Sequence, residues 1–120
     1  MPRFVVLLHE TPANCSRGTH FDLMLEHGAM LRTWALDRLP QLDETVVAER
    51  LADHRPVYLD YEGDVSGERG QVRRVDQGEY EIIEDRPEQF VVKIGGDRPG
   101  ILTLTQDQPP HRWRVSLSAA

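Results

Sequence analysis

Cysteine is nearly absent: Cys15 is the only one in 120 residues. An intrachain disulfide is therefore excluded, and a lone thiol fits a reducing compartment. Lysine is equally scarce, because Lys93 stands alone among 14 basic residues and the rest are arginine. Long apolar runs are missing as well. Nothing approaches the ~20 consecutive apolar residues that cross a bilayer. The stretch FVVLL (4–8) is too short for the apolar region of a secretory signal. A cytoplasmic protein with no membrane partner is expected. Net positive charge is lacking too, with 20 acidic residues against 14 basic and a formal charge of −6. Gripping a duplex without regard to sequence relies on a basic footprint, which this chain does not have. A small cationic pocket on an acidic body stays compatible with that balance. Arginine's planar fork suits phosphate better than lysine does, although codon bias in a GC-rich genome yields the same composition.

What is present is a globular composition, 39% apolar and 28% charged, over a length that makes one domain spanning 1–120. The dominant pattern is short strands with punctuation. Residues 3–9 (RFVVLLH) form a continuous run that reads as a buried strand. Residues 11–18 (TPANCSRG) have loop composition. From His20 to Glu26 the chain alternates, placing Phe21, Leu23 and Leu25 on one face and His20, Asp22, Met24 and Glu26 on the other. His27-Gly28 predicts a hairpin turn into 29–36. Further strands are expected at 57–61, 70–75, 79–84, 89–94, 101–105 and 112–117, with turns at 76–78 (DQG) and 95–100 (GGDRPG). Residues 43–51 (DETVVAERL) open with a cap-like acid and space Val46, Val47 and Leu51 as a helix would. The expected architecture is all-β, an antiparallel β-barrel of about eight short strands with one short helix.

Chemistry concentrates in two places. His20 and Asp22 are two apart on a strand, so imidazole and carboxylate emerge side by side, a geometry suited to a divalent metal. His9, ending the preceding strand, is the natural third ligand, and such a set leaves positions for water or a substrate oxygen. The plainer alternative is a surface hydrogen-bonded pair with His9 merely ending its strand. The second place is HRPVYLDYEG (54–63), where His54 and Tyr58 offer donors to an oxyanion. Its alternative is tyrosines packing at a core rim and His54 capping a helix. The arginines Arg32, Arg38, Arg50, Arg55, Arg69, Arg73 and Arg74 are expected mostly on solvated faces, and Trp34 in the core. His27 and His111 read as structural or exposed. Cys15 sits in a loop without a catalytic partner, and GERG (67–70) lacks the setting of a phosphate-binding loop.

The order of these motifs resembles the 3′-phosphoesterase domain of bacterial ligase D proteins, which also occurs as small standalone proteins. That family shows a strand ending in His, then H-Y-D-x-R-L-E, L-x-S-W-A-x-P-K-G-P and H-P-x-x-Y-x-x-F-E-G. This chain shows FVVLLH (4–9), HFDLMLE (20–26), LRTWALDRLP (31–40) and HRPVYLDYEG (54–63), and WRV (113–115) resembles the last strand. The resemblance implies a β-barrel with a manganese-dependent site that trims the 3′ ends of DNA or RNA primer strands. It implies metal ligation by His9, His20 and Asp22 and catalytic, phosphate-contacting roles for His54 and Tyr58. Arg38 stands where the family has the lysine of P-K-G-P, and Arg50 replaces another phosphate-binding arginine if a gap is placed before His54. Implied partners are 3′ ends in a primer-template and a separate ligase or polymerase. Three departures stand out: Met24 occupies the position of the family's arginine, the connection from His9 to His20 is longer than the family's, and the stretch after Gly63 is shorter. Met24 and the formal charge of −6 favour an alternative, a catalytically weakened relative that binds metal and nucleic-acid ends or a repair partner without hydrolysis. A third class, a non-haem iron oxygenase, shares the pairing of two histidines with one carboxylate.

Overall fold

Alternating side chains need a sheet with a dry face, and the chain supplies one by closing on itself. The structure, a computed structural model, describes residues 1–14, 17–65 and 67–120. Among these lie strands β1 (Arg3–Glu10), β2 (His20–His27), β3 (Met30–Leu36), β4 (Glu44–His54), β5 (Gly63–Asp64), β6 (Gln71–Arg86), β7 (Gln89–Ile94), β8 (Gly100–Gln108) and β9 (Arg112–Ser118). The order β1-β2-β3-β4-β9-β8-β7-β6 is closed by a further pairing of β1 with β6, giving a barrel-like ring, and the short β5 flanks β6. The ladders between strands are antiparallel. Closure leaves the ring without an open edge. No helix among the described residues is long and apolar enough to cross a membrane.

The interior is filled by one side-chain face of each strand, among them Phe4, Val6, Leu23, Trp34, Phe90 and Trp113. Trp34 is fully buried, 5.6 Å from Trp113 and 6.3 Å from Phe90 between ring centroids. A second apolar cluster lies outside the ring. Val5 and Leu7 of β1, Met24 of β2 and Leu31 of β3 point outward and are covered by Leu59, with Tyr58, Tyr61 and Val65 packed against them. The unbroken apolar run of β1 follows from this, since both of its faces are buried.

Three local expectations are corrected. Residues 43–51 are not helical but lie mainly in β4, where Val46 and Ala48 are buried and Thr45, Val47 and Glu49 exposed, a period of two. The acidic start that resembled a helix cap is a turn: Asp43 has φ 63°, and the Gln41 N–H donates to the Glu44 carboxylate at 2.9 Å. The short helical element is instead a 3₁₀ turn at Pro56–Leu59, where a strand over 57–61 was expected. Pro56 enters that turn at its first position, where a missing N–H costs nothing. Residues 76–78 do not turn either, because β6 runs through them for 16 residues. Its register against β1 shifts between Val6 and Leu7, a bulge where the strand bends around the ring. Gly78 serves close approach, as a Cβ there would lie 3.1 Å from both the Gly96 nitrogen and the Phe4 ring.

Candidate metal centre and phosphate cleft

The outward row that carries Val5 and Leu7 on β1 ends in His9, and the row beside it on β2 begins with His20, Asp22 and Met24. Antiparallel pairing sets His9 directly opposite His20 and Leu7 opposite Asp22. The imidazoles and the carboxylate therefore meet on the outer wall of the ring, with ring centroids of the histidines 4.9 Å apart. One ligand atom from each of the three lies within 4.8 Å of the others, and His20 and Asp22 are buried.

Hydrogen bonds fix which nitrogens face inward. His20 donates its Nδ1–H to the Gly18 carbonyl at 2.7 Å, which turns its Nε2 toward Asp22 Oδ1, 3.1 Å away. His9 donates its Nε2–H to the Arg69 carbonyl at 2.8 Å, and its Nδ1 stands 3.5 Å from Asp22 Oδ2. The second nitrogen of each ring is thus directed at one desolvated carboxylate, an arrangement that a shared cation or proton would satisfy. Carbonyls holding the far nitrogens of ligating imidazoles are the usual outer support of a metal site. The residues present fit a divalent ion that takes nitrogen and oxygen ligands. Without metal the same geometry favours a proton on His9. Contact with Asp22 raises the His9 pKa above its ordinary value, with burial opposing it and the Arg69 carbonyl helping. Burial works to raise the pKa of Asp22, but His20 and His9 outweigh it and hold the carboxyl below its ordinary value.

Beside this group is a cleft of ≈ 380 Å³ lined by His9, Asp22, Met24, His54, Tyr58 and Arg69, among others. His54 ends β4 and Tyr58 sits on the 3₁₀ turn, their rings 5.7 Å apart. His54 donates Nδ1–H to the Ala52 carbonyl at 2.9 Å. Five of the residues singled out in the sequence thus stand together: His9, His20 and Asp22 as one group, and His54 and Tyr58 across the cleft from it. Arg38 and Arg50 do not line that cleft. Arg38 is exposed and paired with Glu44 at 2.5 Å. Arg50 turns into the mouth of the ring, 4.5 Å over the Trp34 ring, and pairs with Asp53 at 3.2 Å. Met24 is fully buried in the outer cluster, so the wall beside Asp22 is apolar. Cys15 lies outside the described residues.

Sequence reasoning missed the backbone partners of the histidines. Gly70 is the one legible sign of them: its φ is +94°, and a Cβ there would fall 1.9 Å from the Glu10 carbonyl oxygen. Only glycine lets the chain pass so close to the end of β1 and bring the Arg69 carbonyl to His9.

A closed antiparallel ring carries two histidines and a carboxylate together on its outer wall, a group that could hold a metal ion, beside a cleft with a further histidine and tyrosine. The chain belongs to the DNA ligase D 3′-phosphoesterase domain family, whose model matches residues 9–114. Among curated proteins, none matches the chain. Family membership makes this a phosphoesterase-type domain and displaces the oxygenase alternative.

Proposed function

We propose that the protein is a manganese-dependent 3′-phosphoesterase that removes terminal phosphate or ribonucleotide groups from nucleic-acid 3′ ends in repair. The observation that carries this reading is the convergence of two imidazoles, each held from behind by a backbone carbonyl, on a buried carboxylate next to a polar cleft. A bound Mn²⁺ would polarise a phosphoryl oxygen and make a water or ribose hydroxyl more acidic. His9, His20 and Asp22 would hold it, with their orientation set before binding. His54 would stabilise negative charge developing on the phosphate or give a proton to the leaving oxygen. Tyr58 would orient the phosphate through its hydroxyl. Arg38, exposed and one residue beyond cleft-lining Asp37 on the His20 side, would meet phosphates further along the strand. For Arg50 we favour packing over Trp34. A separate ligase or polymerase in the cytoplasm would act on the trimmed end.

The test is purified protein with a primer-template ending in 3′-phosphate or a 3′-ribonucleotide, with and without Mn²⁺. Mn²⁺-dependent trimming is expected, and His54→Ala is expected to slow it by roughly 10²–10⁴-fold with Mn²⁺ affinity retained. No trimming by folded, metal-loaded protein would sink the enzymatic reading. A second reading, binding without hydrolysis, is favoured by Met24, an apolar side chain beside Asp22 at the position of the family's arginine. Ends that are bound and recovered unchanged would select it.

A further inference from the structure

The metal group has two flanks. His9 and Asp22 line the cleft with His54, whereas His20 lines a second cleft of ≈ 420 Å³. That second cleft is bordered by Arg17, Asp37, Val47, Glu49, His111 and Arg112. A volume in the range of a few hundred Å³ suits one nucleotide-sized group. Arg17 comes from the long connection between β1 and β2, which is tied down by hydrogen bonds from Thr11 Oγ1 to the Arg17 carbonyl (3.0 Å) and from the Thr11 N–H to Thr19 Oγ1 (3.2 Å). Its guanidinium grips both oxygens of Glu49, at 3.0 and 2.8 Å. Both partners are substantially exposed, at 39% and 49%. Arg17 and His20 line the same cleft.

A 3′ end is asymmetric: the terminal group has nothing beyond it, and the strand continues on one side only. Two clefts flanking one metal group therefore divide between the terminal group and the strand. The His54 side carries an imidazole and a phenol suited to the terminal phosphate. The His20 side carries a cation held in the planar fork that phosphate oxygens match as well as a carboxylate does.

We propose that Arg17 binds the backbone phosphodiester next to the 3′ terminus, exchanging the Glu49 carboxylate for the phosphate, so that Glu49 is both its holder and its competitor. This inference rests on reading the site as one for nucleic-acid 3′ ends. A merely structural brace would lose function from either partner's removal. A competitor predicts opposite signs: Arg17→Ala weakens binding and Glu49→Ala tightens it.

The experiment measures a fluorescently labelled oligonucleotide with a 3′-hydroxyl by anisotropy in the presence of Mn²⁺, and steady-state turnover of its 3′-phosphorylated counterpart. Arg17→Ala is expected to raise the Kd for the 3′-hydroxyl strand and the KM for the 3′-phosphorylated one by at least about tenfold, with kcat little changed. It should also lower the salt dependence of binding by about one phosphate contact. Glu49→Ala is expected to lower the same Kd and KM. Unchanged Kd in Arg17→Ala overturns the inference, as does weakening by both substitutions alike. A loss confined to the 3′-phosphorylated strand also overturns it, since Arg17 would then be a terminal-phosphate contact. Arg17-dependent binding without turnover upholds the inference while defeating the phosphoesterase reading. Wild-type protein that binds neither strand overturns both.

Discussion

At the scale of single residues, the site depends on which nitrogen of each histidine faces Asp22, and two backbone carbonyls decide that. Gly18 and Arg69 accept from the far nitrogens of His20 and His9, so each ring turns its other nitrogen to Asp22. The Arg69 carbonyl is in reach only because Gly70 tolerates φ +94° and contact with Glu10. Gly70→Ala is accordingly expected to push the chain away from β1 and weaken Mn²⁺ binding by roughly 10–100-fold, read by isothermal titration calorimetry. Affinity left intact in a folded Gly70→Ala protein would show that the carbonyl is dispensable. The pairing of His20 with Asp22 was legible in the sequence, because His-x-Asp on an alternating strand forces a shared face. Their carbonyl partners were not, since a backbone oxygen leaves no mark on residue type.

At the scale of elements, the segment 55–65 decides where the site begins. Its 3₁₀ turn buries Leu59 against Val5, Leu7 and Met24 and carries Tyr58 to the cleft. Leu59→Ala removes that anchor and is expected to cost about 2–5 kcal/mol in urea unfolding. The same substitution should lower turnover, because Tyr58 shares the turn. Stability equal to wild type would mean that the segment is held by other contacts. Strands with one buried face were readable from alternation, as in β7 and β9. Residues 43–51 misled because an acidic turn followed by Val46, Val47 and Leu51 satisfies a helical spacing by coincidence; pairing with β3 and β9 overrides the local preference. The DQG triplet misled for a related reason: its glycine answers to a crowded wall, not to a turn.

At the scale of the whole molecule, closure of the ring makes the core a single dry space and sets the behaviour of groups inside it. Burial pushes the Tyr80 phenol up to about 12, with Arg32 opposing, while its hydroxyl donates to the Glu26 carbonyl. The folded pKa lies above the unfolded one, so Tyr80's contribution is fully present below pH about 10 and is lost as pH rises through about 12. Stability is expected to fall by on the order of 2 kcal/mol across that window, and Tyr80→Phe to flatten the fall in urea titrations taken along it. An unaltered slope in Tyr80→Phe would assign the alkaline loss elsewhere. Metal should act on the whole molecule as well. A ligand that binds only the folded form adds about 2.7 kcal/mol at a hundred times its Kd. Mn²⁺ is therefore expected to raise the Tm of wild type and leave Asp22→Asn unmoved, a difference that scanning calorimetry reads directly.

The scarcity of cysteine and of apolar runs, the alternation along the strands and the spacing of His9, His20 and Asp22 determined a disulfide-free all-β domain with a metal-suited triplet, because side-chain direction in a strand follows from sequence position alone. Which strands meet, and what crosses the outer wall, was decided only by the closed ring. That pairing depends on contacts distant in sequence: β1 against β6, Leu59 against Met24, and the Arg69 carbonyl against His9. The formal charge of −6 belongs to the chain as a whole, whereas the clefts at the candidate site are lined by arginines as well, Arg17 and Arg112 in one and Arg55 and Arg69 in the other.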